Sequence, residues 1–342
     1  MRENAEDGPP EGVQQLKKKE EVIIVDTLLE DGKHGSDLPH LCLDRHLIEN
    51  SGHSALDPKG LEDVLACVRK SKRKINRLSL MFNKTQAQGV GNFLKTDRSI
   101  TEVCILCEGT TPQSIDAVAQ ALRENDNVRK VLLGGRELGE EAALSLGGVL
   151  QVTRSLEELT LFHCSLGDQG VMNISEGLGA NDTLRYLDLN YCSMGDEGAK
   201  QLGRSLRSHP KLSCLNLRGN LIGEQGAEQL AAALRFCPLL SELHLGCNLV
   251  GNRGAAALAN ALMLNKSIKS LGLSMNKVTD EGGIAFAVAL GMNSTIRLLN
   301  LRRNNLSFGA CERIRAGWNS RNAKESIGRG IPWHDGLYLP ME

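Results

Sequence analysis

Hydrophobic positions along the chain return on a fixed step. The pattern Leu-x-Leu-x-x-Asn/Cys begins at Leu187, Leu215, Leu243, Leu271 and Leu299, each start 28 residues after the last. Stepping back by 28 reaches Leu159, Val131 and Val103, and a shorter unit of 25 residues begins at Leu78. Seven residues past a start lies another apolar residue (Leu138, Leu166, Met194, Ile222, Val250, Val278, Leu306). Glycines follow at Gly139, Gly167, Gly195, Gly223 and Gly251, then again at Gly170, Gly198, Gly226, Gly254 and Gly282. Apolar pairs four apart come next: Leu202 and Leu206, Leu230 and Leu234, Leu258 and Leu262, Phe286 and Leu290.

Each part of the unit predicts an element. Alternating leucines share one face of a short strand, because side chains alternate along an extended chain. Apolar residues four apart share one face of a helix. Both sets of glycines are expected to be turns between the two elements. One unit cannot bury its own apolar stripe, so units must stack. The fold expected is an α/β solenoid, a horseshoe of 28-residue repeats with a parallel sheet on the concave face and helices on the convex face. The Asn/Cys slot follows the strand, where the chain turns inward and leaves buried backbone groups in need of partners. Asn83, Asn220, Asn248, Asn276 and Asn304 can both donate and accept there, with Cys164 and Cys192 as small substitutes. Glu108 and Arg136 depart from the slot, so the first units should be less regular.

The segments Leu184 to Leu206 and Leu212 to Leu234 resemble the ribonuclease-inhibitor type of leucine-rich repeat, and the resemblance spans about two thirds of the chain. That class includes ribonuclease inhibitor, the sensor arms of NOD-like receptors, the Ran GTPase-activating protein, and several cytoskeletal and ciliary proteins. The resemblance implies the fold and a protein partner. It does not choose among those activities, since fold does not fix function.

Outside the repeats, residues 1–20 are polar and charged and read as a disordered tail. Residues 21–77 read as a divergent amino-terminal segment and cap. Within them "LCL" at Leu41 to Leu43 should be a strand, Gly60, Val64 and Val68 a helix, and "EVIIVDTLL" from Glu21 an added strand or packing segment. Residues 78–306 form the repeat array. Residues 307–342 form a closing cap, with Ala310, Ile314 and Trp318 on a helix, and a tail whose Trp333 and Tyr338 either dock on the body or anchor a partner.

Charge and composition narrow the function. Forty basic and 41 acidic residues leave a net charge of −1, which argues against a nucleic-acid binder or a strongly acidic enzyme inhibitor. The first twenty residues hold no apolar run fit for export, and no stretch approaches the ~18–20 apolar residues of a membrane span. The ten cysteines then read as reduced thiols, and the expected location is cytoplasmic, with the cytoskeleton or cilium among the settings the resemblance allows. Phosphate-binding, zinc-protease and serine-hydrolase motifs are absent. Cys104 and Cys107 lack a second pair to complete a zinc site. His163 beside Cys164 lacks an orienting third group, and the basic run Arg69 to Lys74 reads as a solvated helix end. No catalytic, cofactor or metal site is therefore expected.

The remaining candidate is the concave face. Phe162, His163, Tyr186, Asp188, Tyr191, Arg218, His244 and Arg302 should point out of the strands toward a protein partner. Phe162, Tyr186 and Tyr191 fall in adjacent units of a chain with eleven aromatic residues, and aromatic residues often anchor interfaces. The expected function is a non-enzymatic scaffold or adaptor that binds protein through this face and the tails. The alternatives are a GTPase activator resembling the Ran-directed enzyme, though the carboxy terminus lacks its acidic tail, and an enzyme inhibitor.

Overall fold

The computed structural model describes residues 29–30, 40–43, 65, 76–82, 87–107, 112–136, 138–325 and 336–340. Strand and helix alternate through it. After β1 (Leu29–Glu30) and β2 (His40–Leu43) come β3 (Arg77–Phe82), α1 (Ala87–Thr96), β4 (Glu102–Cys107), α2 (Pro112–Glu124), β5 (Lys130–Gly134) and α3 (Glu140–Val152). The middle runs β6 (Glu158–Phe162), α4 (Gly167–Ala180), β7 (Tyr186–Asp188), α5 (Asp196–Leu206), β8 (Cys214–Asn216) and α6 (Glu224–Leu234). It closes with β9 (Glu242–His244), α7 (Gly251–Leu264), β10 (Ser270–Gly272), α8 (Asp280–Met292), β11 (Leu298–Asn300), α9 (Phe308–Glu325) and β12 (Leu337–Tyr338).

The strands form one 12-stranded sheet in sequence order, the arrangement a solenoid with one strand per unit requires. Among the described residues, only β1 runs antiparallel, against β2. Register follows the repeat: Leu159, Leu187, Leu215, Leu243, Leu271 and Leu299 lie side by side. The sheet also extends past both ends of the expected array. Leu41 pairs with Leu78, and Leu337 and Tyr338 pair with Leu299 and Asn300, so that strand of the tail is docked on the body. Leu29 and Glu30 supply a strand from the "EVIIVDTLL" segment. The remainder of that segment, residues 1–20, the basic run at 69–74, Asn83, Glu108 and Trp333 lie outside the described residues.

The core sits between sheet and helices and is continuous from Leu65 to Leu339. Leu187, Leu189, Leu215 and Leu217 are wholly buried, as are Leu202, Leu258 and Phe286 on the helices. The closing helix buries Ala310, Ile314 and Trp318, as their spacing predicts.

Three polar ladders hold successive units in register. The Asn/Cys slot behaves as the sequence suggests. Asn248 donates to Leu217 O and Leu245 O at 2.9 and 3.0 Å and accepts from Ile222 N at 3.1 Å. Asn220 likewise accepts from Cys192 N and Met194 N and donates to Leu189 O. Cys192 Sγ donates to Leu161 O at 3.2 Å, a weaker version of the same bond. The other two ladders are unannounced by the hydrophobic pattern. Asp168 accepts from Gly195 N and Gly198 N at 2.7 and 2.9 Å, and Asp196 does the same for Gly223 and Gly226. An acid of one unit thereby satisfies orphan amides at the next helix's amino terminus, where negative charge is favoured. At the other helix end, Asn181 donates to Leu150 O and accepts from Thr183 N and Leu184 N. Asn125, Asn265 and Asn293 repeat this with Leu94, Leu234 and Leu262.

One expectation is corrected. The second glycine of each unit is not a turn residue: Gly170, Gly198, Gly226, Gly254 and Gly282 lie within the first turn of α4 to α8. A Cβ on Gly254 would stand 2.7 Å from the Cβ of Ala227. Glycine is used there because neighbouring helices approach too closely for a side chain.

Candidate concave-face site

The expected residues fall into three groups and one outlier. The first is a stack of rings. His163 and Tyr191, from adjacent units, lie parallel with centroids 4.6 Å apart and an interplanar angle of 3°. Phe162 meets His163 edge-on at 6.1 Å and 83°. Each end rests on a glycine: a Cβ at Gly134 would collide with the Phe162 ring, and one at Gly219 with the Tyr191 ring.

The backbone explains how His163 and Tyr191 reach this geometry. Their φ angles are 52° and 53°, and Cys247, Met275 and Arg303 at the same step of the repeat have 57°, 58° and 57°. Gly135 and Gly219 occupy the same row with φ of 147° and 71°. A non-glycine residue in the left-handed region costs roughly 1–2 kcal/mol. An aromatic pair returns about 0.5–1.5 kcal/mol beyond its burial. Two such residues cost about 2–4 kcal/mol against the return of one pair, so the stack adds nothing to fold stability. Its rings stay partly in solvent: His163 is exposed, Tyr191 is 39% exposed, and Phe162 is half-buried.

The second group is a polar cluster on β7 and β8. Asp188, expected to face a partner, is 6% exposed. Its carboxylate accepts from Tyr186 Oη at 3.1 Å, Asn190 Nδ2 at 2.7 Å and Asn216 Nδ2 at 2.8 Å. Asp188 therefore serves as an internal brace and is corrected from contact residue to support. Burial first, and the Asp188 carboxylate next, hold the Tyr186 phenol far above its ordinary pKa. Tyr186 is half-buried, with its hydroxyl committed to Asp188.

The third group centres on His244. Its Nε2 lies 3.4 Å from Glu242 Oε2, and Cys214 Sγ on the adjacent strand lies 3.8 Å from the same oxygen. Burial, followed by the Glu242 and Asp188 carboxylates, pushes the Cys214 thiol up to about 12. Cys214 and Glu242 occupy the slot just before the strand leucine, the same slot as Tyr186 on β7. Superposing successive 28-residue units would have brought them together. Arg218 is exposed, beside Gly246. Arg302 is the outlier. It lies four units from Tyr191, with its guanidinium 4.5 Å from the centroid of Tyr338 on β12.

The sequence neighbours His163 and Cys164 part company. His163 stacks outward, while Cys164 is fully buried and its Sγ donates to Phe162 O at 3.3 Å. Among the described residues, no helix is long and apolar enough to cross a membrane.

With this geometry in view, comparison with known proteins agrees on the class. Residues 153–175, 180–203, 208–231, 236–259 and 264–287 each match the leucine-rich repeat family. Residues 153–287 carry leucine-rich repeats, and the fold in which they sit is an α/β solenoid. No curated protein matches it. Among solved structures it is similar to the tropomodulin C-terminal domain of Caenorhabditis elegans, with a TM-score of 0.38 and 13% identity over 55% of this chain and 96% of that one. It is also similar to actin-binding site 2 of leiomodin-1, at TM-score 0.37 and 15% identity over 55% and 91% of the two chains. TLR13 in its complex with ssRNA13 gives a TM-score of 0.44 and 14% identity, over 75% of this chain and 32% of that one.

Proposed function

We propose that this protein is a non-enzymatic scaffold that binds a protein partner through its concave face, with Phe162, His163 and Tyr191 as the anchor. The observation that carries the reading is the exposed ring stack on left-handed backbone. Gly135 and Gly219 fill the same step at no steric cost. Cys247, Met275 and Arg303 share that left-handed step in other units, so it is the exposure and stacking of the rings at His163 and Tyr191 that favour a binding role for them. Tyr186 and Arg218 flank the anchor. A cytoskeletal or ciliary assembly is the setting the family resemblance allows, and identifying the captured protein decides it.

The test is affinity purification from the native cell with Phe162→Ala, Tyr186→Ala, Tyr191→Ala and Tyr191→Gly, each checked for thermal stability. Truncating an anchor should weaken binding by ~2 kcal/mol or more, roughly thirtyfold. Tyr191→Gly is the discriminating variant, because glycine suits φ of 53° and should leave melting unchanged or raised while the partner is lost. Full retention of partners by all four variants refutes the concave anchor.

A further inference from the structure

We propose that Cys214, Glu242 and His244 form a three-ligand site for a divalent transition-metal ion of the zinc type on the concave sheet. Sheet register makes the juxtaposition. Cys214 on β8 pairs with Glu242 on β9, and His244, two residues further along β9, returns to the same face. Thiol, carboxylate and imidazole ligand atoms all lie within 4.8 Å of one another.

The spacing fits a metal better than it fits hydrogen bonding. The contacts onto Glu242 Oε2, 3.4 Å from His244 Nε2 and 3.8 Å from Cys214 Sγ, both exceed the ~2.7–3.2 Å of a good N–H···O bond, although sulfur donors run longer. Zinc binds nitrogen and oxygen at about 2.0–2.2 Å and sulfur at about 2.3 Å in tetrahedral geometry. Those bond lengths put nitrogen and oxygen ligands about 3.4 Å apart, and sulfur and oxygen about 3.6 Å apart. The two observed edges match within ~0.2 Å. The third, from sulfur to nitrogen, is no longer than 4.8 Å, against about 3.6 Å in such a site.

Donor chemistry selects the ion. Sulfur, imidazole nitrogen and one carboxylate suit zinc and its neighbours, whereas calcium and magnesium require oxygen cages. On binding, the Cys214 Sγ–H bond breaks, its proton leaves to solvent and a sulfur–metal bond forms, with no change of oxidation state. Gly272, the register partner of His244 on β10, leaves room beside the ring, since a Cβ there would stand 3.2 Å from His244 Nδ1. Three protein ligands leave a fourth position for water or a donor from another molecule. The site stands independently of the aromatic anchor, because metal binding needs no partner.

The experiment titrates the purified full chain with Co²⁺, then with Zn²⁺ in competition. One Co²⁺ per chain should bind with a thiolate-to-cobalt charge-transfer absorption, and Zn²⁺ should displace it. Cys214→Ser should remove that absorption, while His244→Asn and Glu242→Gln should each weaken binding at least tenfold. Cys247→Ser, a half-exposed thiol outside the site, should behave as wild type. Zn²⁺ should also raise the melting temperature of the wild type and not of His244→Asn, a readout that does not depend on the cysteine variant. Failure to form a one-to-one complex, or an absorption that survives Cys214→Ser, overturns the proposal.

Discussion

Replacing His209 by asparagine should stabilise the protein, and increasingly so as the pH falls. His209 occupies the helix-end slot that Asn181, Asn265 and Asn293 fill in other units. Its Nδ1 accepts from Lys211 N and Leu212 N at 3.3 and 3.0 Å, as the asparagine Oδ1 does elsewhere. The proton of the neutral ring then sits on Nε2, and that atom is buried without a partner. An asparagine would send its Nδ2 back to the preceding unit, as Asn181 does to Leu150 O at 2.8 Å. One recovered hydrogen bond contributes roughly 0.5–1.5 kcal/mol at neutral pH. Titration adds to this. Burial, with Lys211 nearby, lowers the His209 pKa from 6.5 to about 4, against the opposing pull of Asp182.

Below pH 6.5 the unfolded chain takes up a proton that the folded chain refuses, so stability falls between pH 6.5 and 4 and is fully present above. A tenfold change in proton affinity corresponds to about 1.4 kcal/mol, which bounds the loss at roughly 3 kcal/mol. Asparagine does not titrate. Urea unfolding of both proteins at about pH 7.5, 6, 5 and 4 measures the difference, and background carboxylates cancel in it. A difference that stays constant across that range would refute the assignment of a buried neutral His209, and a destabilised variant at the highest pH would refute the missing hydrogen bond.

Other outcomes follow from the packing. Asn248→Leu removes the donor to Leu217 O and Leu245 O and the acceptor for Ile222 N, and should lower stability by about 1–3 kcal/mol, read from the urea midpoint. Gly177→Ala drives a methyl group into Gly147 O on α3, backbone that cannot yield, and should cost roughly 1–3 kcal/mol. Gly179→Ala, two residues on, meets only Ser205 at 3.7 Å and should be neutral or stabilising by up to about 1 kcal/mol through helix propensity. Equal melting temperatures for the two alanine variants would contradict the close approach of α3 and α4.

The repeat itself was legible in the chain. Leu187 and Leu189, Leu202 and Leu206, and the buried Asn220 follow from short-range periodicity, because burial repeats with the geometry of one strand and one helix. What the linear pattern left hidden depends on contacts between units. Asp196 and Asn181 look like polar turn residues until the next or preceding unit presents a backbone group 27 or 31 residues away. Gly254 looks like a bend until Ala227 arrives against it. The outward cant of His163 and Tyr191 comes from a positive φ, which residue type alone does not reveal for a histidine or a tyrosine. Asp188 reads as a surface acid because strand alternation places it on the open face. Only its neighbours Tyr186, Asn190 and Asn216 enclose it. The meeting of Cys214, Glu242 and His244 belongs to the same class, since parallel register across a 28-residue step decides which side chains share a face and the stacked fold decides how close they come.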